Sequence, residues 1–256
     1  KKEATSKHYL YRMGLFTIIG IQSGMDNKKH EPVGRFIPLT RIKSSESLTS
    51  FITEMIPLLH LEPKHATPIK YIMSELVRNV LEHSGSSKGD IVCAQYYKKS
   101  NTIRIGIVDT GIGIKKSINK SHEAKTHLEA IRLALTPGIT GETKREGGTD
   151  YNAGAGLFFI KSIVKVNRSF FMIYSGSSMY KLLKSKPGKR KLYGDPFKDR
   201  HSYDEKLPFW EGTAIGIDIS LETTEEFSML LDSIRDIYVK TVKERKKARY
   251  RRPVFV

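Results

Sequence analysis

Glu75, Asn79 and His83 recur every four residues in a stretch whose apolar positions follow a helical period, so all three project from one side of one helix. An acid and an amide held there by a packed helix can serve as a base and a metal ligand, although the same spacing also describes a solvated helix edge. Further along, Asp109-Thr110-Gly111-Ile112-Gly113-Ile114 directly follows a hydrophobic strand. An Asp at a strand end can accept a hydrogen bond from an exocyclic amine, and glycines lacking a Cβ let a planar ring approach the backbone. The same D-x-G-x-G is also an ordinary tight turn. Gly154-Ala155-Gly156 precedes an apolar helical run and presents free amide N–H groups at a helix start, where phosphate binds readily. Gly212-Thr213 opens another hydrophobic strand and carries no chemistry by itself.

Several elements must position these groups. Residues 64–82 place Ile69, Ile72, Met73, Leu76 and Val80 on one helical face, with Gly85 after the end. Before it, a helix opening at Ser44 or Ser45 carries the stripe Leu48, Phe51, Ile52, Met55 and Ile56 and stops before Pro63. Residues 9–21 read as a short amphipathic helix, and 35–42 as a strand with one proline, hence near a sheet edge. Strands at 90–97 and 102–108, joined by the turn-forming KKSN, read as a hairpin. A stretch of about 40 residues rich in Gly, Lys and Thr separates it from the helix at 157–166. Strands follow at 169–174, 178–183 and 213–221, and a final helix over 224–247 carries Phe227, Leu230, Leu231, Ile234, Ile237, Tyr238 and Val242 on one face. This order predicts an α+β layered sandwich rather than a βαβ alternation.

Composition bounds the function. The 256 residues carry a formal net charge of +17, with 39% hydrophobic residues in periodic clusters, enough to build a core and too many for global disorder. The positive charge concentrates at 181–201, with eight Lys and Arg against two Asp, and at 240–252, with eight against one Glu. Cys93 is the only cysteine, which excludes an intramolecular disulfide framework and a Cys-rich zinc module and fits a reducing compartment. Within a strand it reads as a buried inert thiol. The longest nearly uncharged apolar run, 13–21, is too short to cross a bilayer, so the expectation is a soluble cytoplasmic protein without a membrane anchor. His122 and His127 miss the HExxH register, and no GxxxxGK[ST] occurs, so neither zinc nor a P-loop is expected.

Taken in order, ELVRN in a helix, DTGIGI after a strand, GAGLFFIKSIV and then EGT opening a strand resemble the ATP-binding domain of the GHKL superfamily, the histidine kinase-like ATPases that include gyrase-type ATPases, Hsp90, histidine kinases and the MutL proteins. The resemblance spans residues 64–221. It implies a Bergerat-type two-layer α/β sandwich with a mixed β-sheet, and ATP between the helical layer and a mobile lid. Asn79 would hold Mg²⁺, Asp109 would bind the adenine amino group, and Gly111 and Gly113 would leave room for the base. Gly154, Gly156 and Leu157 would cradle phosphates, and Thr213 would reach the adenine side. The lid would correspond to 115–153, with Gly138, Gly141, Lys144, Gly147 and Gly148. The implied organisation is an N-terminal extension (1–60) packing on the core, the ATP-binding domain (61–223) with a basic insert at 184–210, and a C-terminal helix with a basic tail (224–256).

Within the superfamily, sensor histidine kinases need an acceptor histidine on a dimerising helix pair well before the asparagine helix. Only 78 residues precede Asn79, and His65-Ala66-Thr67-Pro68 reads as a coincidental helix start. Glu75 four residues before Asn79 resembles both the ATPases, where it activates water, and the anti-sigma-factor serine kinases, where it activates a serine hydroxyl. ELVRNVLEHS leans toward the second group, which implies hydrolysis of ATP or phosphorylation of a regulatory, STAS-like partner, and allows a homodimer. The insert and both terminal additions depart from those small kinases. The alternatives are a nucleic-acid-responsive ATPase, using the basic segments 181–200 and 240–252 with Tyr193, Phe197, Tyr203, Phe209 and Trp210, and a nonenzymatic ATP-gated binding module.

Overall fold

Ile103, Ile105 and Ile107 on one strand stand opposite Ile219, Ile217 and Ile215 on its neighbour, a period-two pattern that buries one face of a sheet. In the computed structural model, which describes residues 6–22, 36–58, 63–83, 89–145, 147, 154–184, 191–221 and 227–249, that pair lies within a sheet of seven strands. They are β1 (Phe36–Ile42), β2 (Asp90–Tyr97), β3 (Thr102–Val108), β4 (Phe171–Gly176), β5 (Ser178–Leu182), β6 (His201–Asp204) and β7 (Trp210–Ser220). Their order is β1-β2-β3-β7-β4-β5-β6. Every pairing is antiparallel, which corrects the mixed sheet expected from the family resemblance. Hairpins connect β2 to β3 and β4 to β5, and β7 returns between β3 and β4, running opposite to both.

Helices α1 (Lys7–Arg12), α2 (Leu15–Ile18), α3 (Ser45–Leu58), α4 (Pro63–His83), α5 (Gly113–Ile118), α6 (His127–Ala134), α7 (Gly156–Val166) and α8 (Phe227–Arg249) complete the described chain. The side chains of α3, α4, α6, α7 and α8 join the isoleucine face of the sheet in one core. The stripes read from sequence supply it: Ile69, Ile72, Met73 and Leu76 are fully buried, as is Ile234, while Leu48, Phe51, Ile52, Leu230 and Val242 are nearly so. Met55, Ile56, Val80 and His83 have side chains outside the described set. Ser44 caps α3, its Oγ accepting from the Ser47 N–H at 3.2 Å while Ser47 Oγ accepts from the Ser44 N–H at 3.0 Å. On the opposite face of the sheet, Tyr9 of α1 donates to Gln95 at 2.9 Å.

Two stretches to which the sequence assigned no elements carry structure. The interval 115–153 is not uniformly loop: α5 and α6 fold there, burying Ile118, Leu128, Ala130 and Ile131 in the core, and only 146 and 148–153 lie outside the described residues. Short helices of six and eight residues gave too few periods to stand out from the surrounding glycines and lysines. The basic insert is tied to the core over 193–199 and adds the edge strand β6, while most of 202–209 is exposed. Its Asp199, fully buried, accepts from Lys161 at 2.7 Å and from Lys165, both on α7, and Lys161 also donates to the Tyr193 carbonyl at 3.1 Å. Burial pulls the Lys161 ammonium down while the Asp199 charge opposes that shift. Arg132 adds a two-pronged contact to Asp195 at 3.1 and 2.6 Å.

Because Asp199 is the counter-charge for two buried ammonium groups, Asp199→Asn is expected to cost about 3–5 kcal/mol of folding stability. Lys165→Met, which leaves one matched pair, is expected to cost less, and denaturant midpoints of the two variants check the ranking.

Candidate functional site

Register places the site. Ile91 pairs Val108 and Val108 pairs Ala214, so one step further along both ladders Asp90, Asp109 and Thr213 lie side by side on β2, β3 and β7, and Thr213 pairs Ser175 on β4. The main chain confirms the step, since the Asp109 N–H donates to the Thr213 carbonyl at 2.9 Å. Asp90 shares a face with Val92 and Ala94, and Asp109 with Ile103, Ile105 and Ile107. The helix-covered face therefore ends in a polar row, Asp90–Asp109–Thr213–Ser175, beside the apolar row Val92–Ile107–Ile215–Ile173.

Asp109 is 2% exposed. Its Oδ1 accepts the Gly111 N–H at 2.7 Å, and burial raises its pKa against the lowering effect of Gly111 and of the Thr213 main chain and hydroxyl. Gly212 makes this closeness achievable. At φ +120° it occupies backbone space that side chains avoid, and a Cβ there would strike the Asp109 carbonyl. Trp210 donates its indole N–H to that carbonyl at 3.2 Å. Gly113 packs where a Cβ would stand 3.0 Å from Ser175 Oγ, and Ser175 in turn donates to the Gly212 carbonyl at 2.7 Å and accepts from the Ile114 N–H at 3.0 Å.

A second cluster forms where α4 meets the start of α7. A Cβ on Gly156 would lie 2.8 Å from Glu75 Oε2 and 2.9 Å from Asn79 Nδ2, so the glycine lets the helix start touch both side chains. Arg78 holds Glu75 by an ion pair of 2.6 Å. Among the described residues, the Asn79 Nδ2 is buried with no hydrogen-bond partner. Gly154 packs against the chain at Ile139, and its carbonyl accepts from the Gly138 N–H at 3.0 Å. Leu157 packs against the core. Tyr71, one turn before Glu75, is pushed up to about 12 by burial and then by the Glu75 charge, so it stays a neutral phenol.

Asp109 and Thr213 thus come together, as do Glu75, Asn79 and Gly156. Sequence reasoning missed Asp90, Ser175 and the role of Gly212. Asp90 was countable, because a hairpin turning at Lys98–Ser100 sets Asp90 opposite Asp109. Ser175 and Gly212 depend on where β7 inserts. An open cleft of about 510 Å³ adjoins the row, lined by Gly113, Lys115, Lys116, Lys120, Phe209 and Trp210 among others. Of the aromatic residues in the insert, Phe197 packs against Tyr180 and Arg132, and Tyr193 lies beneath Lys165 and Lys191. Tyr203 and Phe209 remain exposed. Cys93 is raised by burial, as befits an inert thiol. Among the described residues, no group of three or more His, Cys, Asp or Glu is placed to hold a metal ion, and no helix is long and apolar enough to cross a membrane. No family model matches the chain, and no curated protein matches it in sequence.

Burial, then the Asp109 charge, push Asp90 up to about 7. The folded protein therefore keeps a proton that the unfolded chain releases near pH 4, and stability falls as pH rises between these values. Asp90→Asn removes that dependence. Its stability relative to wild type is expected to rise by about 1–3 kcal/mol from pH 5 to pH 8, read from denaturant midpoints at each pH.

Proposed function

We propose that this is a Mg²⁺-dependent ATP-binding protein of the GHKL type, with a Bergerat-type core, that hydrolyses ATP or phosphorylates a STAS-like regulatory partner in the cytoplasm. The observation that carries the reading is the contact of Glu75 and Asn79 with Gly156 at the start of α7, where the Asn79 amide nitrogen is buried and unpartnered. A buried donor without a partner calls for an acceptor, and a phosphate oxygen at a helix start is a fitting one. Asn79 would hold Mg²⁺ through its amide oxygen, and Gly154, Gly156 and Leu157 would hold phosphates through main-chain N–H groups. The bound ion would supply charge neutralisation at the phosphates. Glu75, oriented by Arg78, would take the proton from the attacking water or hydroxyl.

At the sheet end, Asp109 would bind the adenine amino group, with Thr213 beside it. Its bond to Gly111 supports this by fixing the orientation of the side chain. The packing of Phe197 and Tyr193 against the protein removes two aromatic faces that nucleic acid would need. Tyr203 and Phe209 keep exposed faces, and a protein partner for the basic surfaces is proposed on the resemblance to the serine kinases.

Asp109→Asn is expected to weaken Mg²⁺-ATP binding by more than about tenfold, since a lost charged hydrogen bond is worth roughly 1.5–3 kcal/mol. Unchanged affinity by calorimetry would remove the adenine assignment. Glu75→Gln is expected to retain ATP yet lose about 10²–10⁴ in phosphoryl transfer or hydrolysis, whereas Asn79→Ala loses the Mg²⁺-dependent part of binding. Normal turnover by Glu75→Gln would place the base elsewhere, and an inactive wild type that still binds ATP would favour the gated binding module.

A further inference from the structure

The polar row holds one group for which these roles have no use. Asp90 is 1% exposed, and both of its carboxyl oxygens are buried without a hydrogen-bond partner among the described residues. Burying a carboxyl with nothing to bond is costly, and native structures do so where a proton, a water or a ligand atom completes the site. Its surroundings narrow the choice. On β1 it faces apolar Ile42, and Lys43 beyond is exposed, its stem lying against Gly89. Helix α4, which packs on β2, contributes buried Ile69, Ile72, Met73 and Leu76, with Glu75 at its edge. On β3 it faces Asp109, the charge that acts on it.

The two carboxyl groups are not equivalent. Asp109 accepts from Gly111 and Thr213, which favours its ionised form. Among the described residues, Asp90 accepts from none. Neighbouring buried carboxyls share one proton rather than ionise together, and the asymmetry of donors leaves that proton on Asp90.

We propose that Asp90 is a second base-reading carboxyl: its O–H donor, set beside the carboxylate acceptor of Asp109, complements the edge of adenine, where an amino donor adjoins an unprotonated ring nitrogen. This rests on the ATP reading above and adds the residue that sets base specificity. Guanine and hypoxanthine present an oxo acceptor beside a ring N–H, the reverse order, and Asp109, whose own donors are Gly111 and Thr213, would set an acceptor against that oxo group. A site built to hydrogen-bond one edge rejects the inverted edge strongly, because its buried polar groups are then left unpaired. The elevation of the Asp90 carboxyl to about 7 agrees with a proton held there under mildly acidic conditions.

The test is calorimetric titration of Mg²⁺-ATP and Mg²⁺-ITP into wild type, Asp90→Asn, Asp90→Leu and Asp109→Asn between about pH 6 and 8.5, a range centred on the titration of Asp90. Wild type is expected to prefer ATP by at least about 100-fold, and to lose about tenfold in ATP affinity between pH 7 and 8.5 as Asp90 gives up its proton. Asp90→Asn, whose amide keeps an N–H donor and does not titrate, is expected to hold ATP within about threefold at pH 6 and to lose the pH slope. Asp90→Leu is expected to lose about 10- to 100-fold for ATP while ITP is unchanged. A pH slope in Asp90→Asn equal to that of wild type overturns the proposal, whether or not the leucine variant folds. ATP binding that depends on Asp109 and not on Asp90 overturns it alone. A wild type that binds neither nucleotide overturns it together with the ATP reading.

Discussion

Setting two carboxyl groups side by side inside a protein is unfavourable twice over, through lost hydration and through mutual repulsion, and the sheet does so at Asp90 and Asp109 where its isoleucine face ends. The antiparallel register makes this unavoidable. With Ile91 opposite Val108 and Val108 opposite Ala214, no side chain can leave the row without shifting every buried isoleucine to the solvent side. The core therefore holds the polar row in place. Gly212 is the local concession, since only a residue without a Cβ lets β7 approach Asp109 so closely.

Helix α7 ties this site to the rest of the chain. Its first residue touches Glu75 and Asn79, its middle is buried against the sheet, and its Lys161 and Lys165 reach Asp199 in the insert. Buried lysines on an apolar helix are costly unless matched, so the insert is the counter-charge that lets α7 pack as it does. Under the proposed function, the helix that would receive phosphate is tied to the basic insert by this buried charge cluster. Tyr71 against Phe227, with ring centroids 5.8 Å apart, joins α8 to the glutamate helix in the same way.

Local patterns are legible in the order of the residues alone. The stripes of α3, α4 and α8 stand out because an apolar face repeats every three or four residues over several turns. The β2–β3 hairpin is readable from two alternating runs and one turn. Pro38 marks β1 as an edge strand, and β1 does lie at the end of the sheet, with its register shifting between Ile37 and Thr40. The motif residues Asp109, Gly111, Gly156 and Thr213 are singled out by type and order.

The amino-acid sequence by itself determined the long elements, such as α3, α4, α7, α8 and the β2–β3 hairpin, and which glycines and carboxylates stand at their ends, because those patterns repeat among residues close in the chain; the short α5, α6 and β6 left no such pattern. Only the tertiary structure decided that β7 inserts between β3 and β4, that the sheet is antiparallel throughout, and that Asp90, Asp109, Thr213 and Ser175 share one row. It likewise decided that two lysines in an apolar helix are matched by an aspartate 38 and 34 residues away. Strand order and long-range charge pairing are set by the packing of the whole core, and a local pattern carries no record of its distant partner.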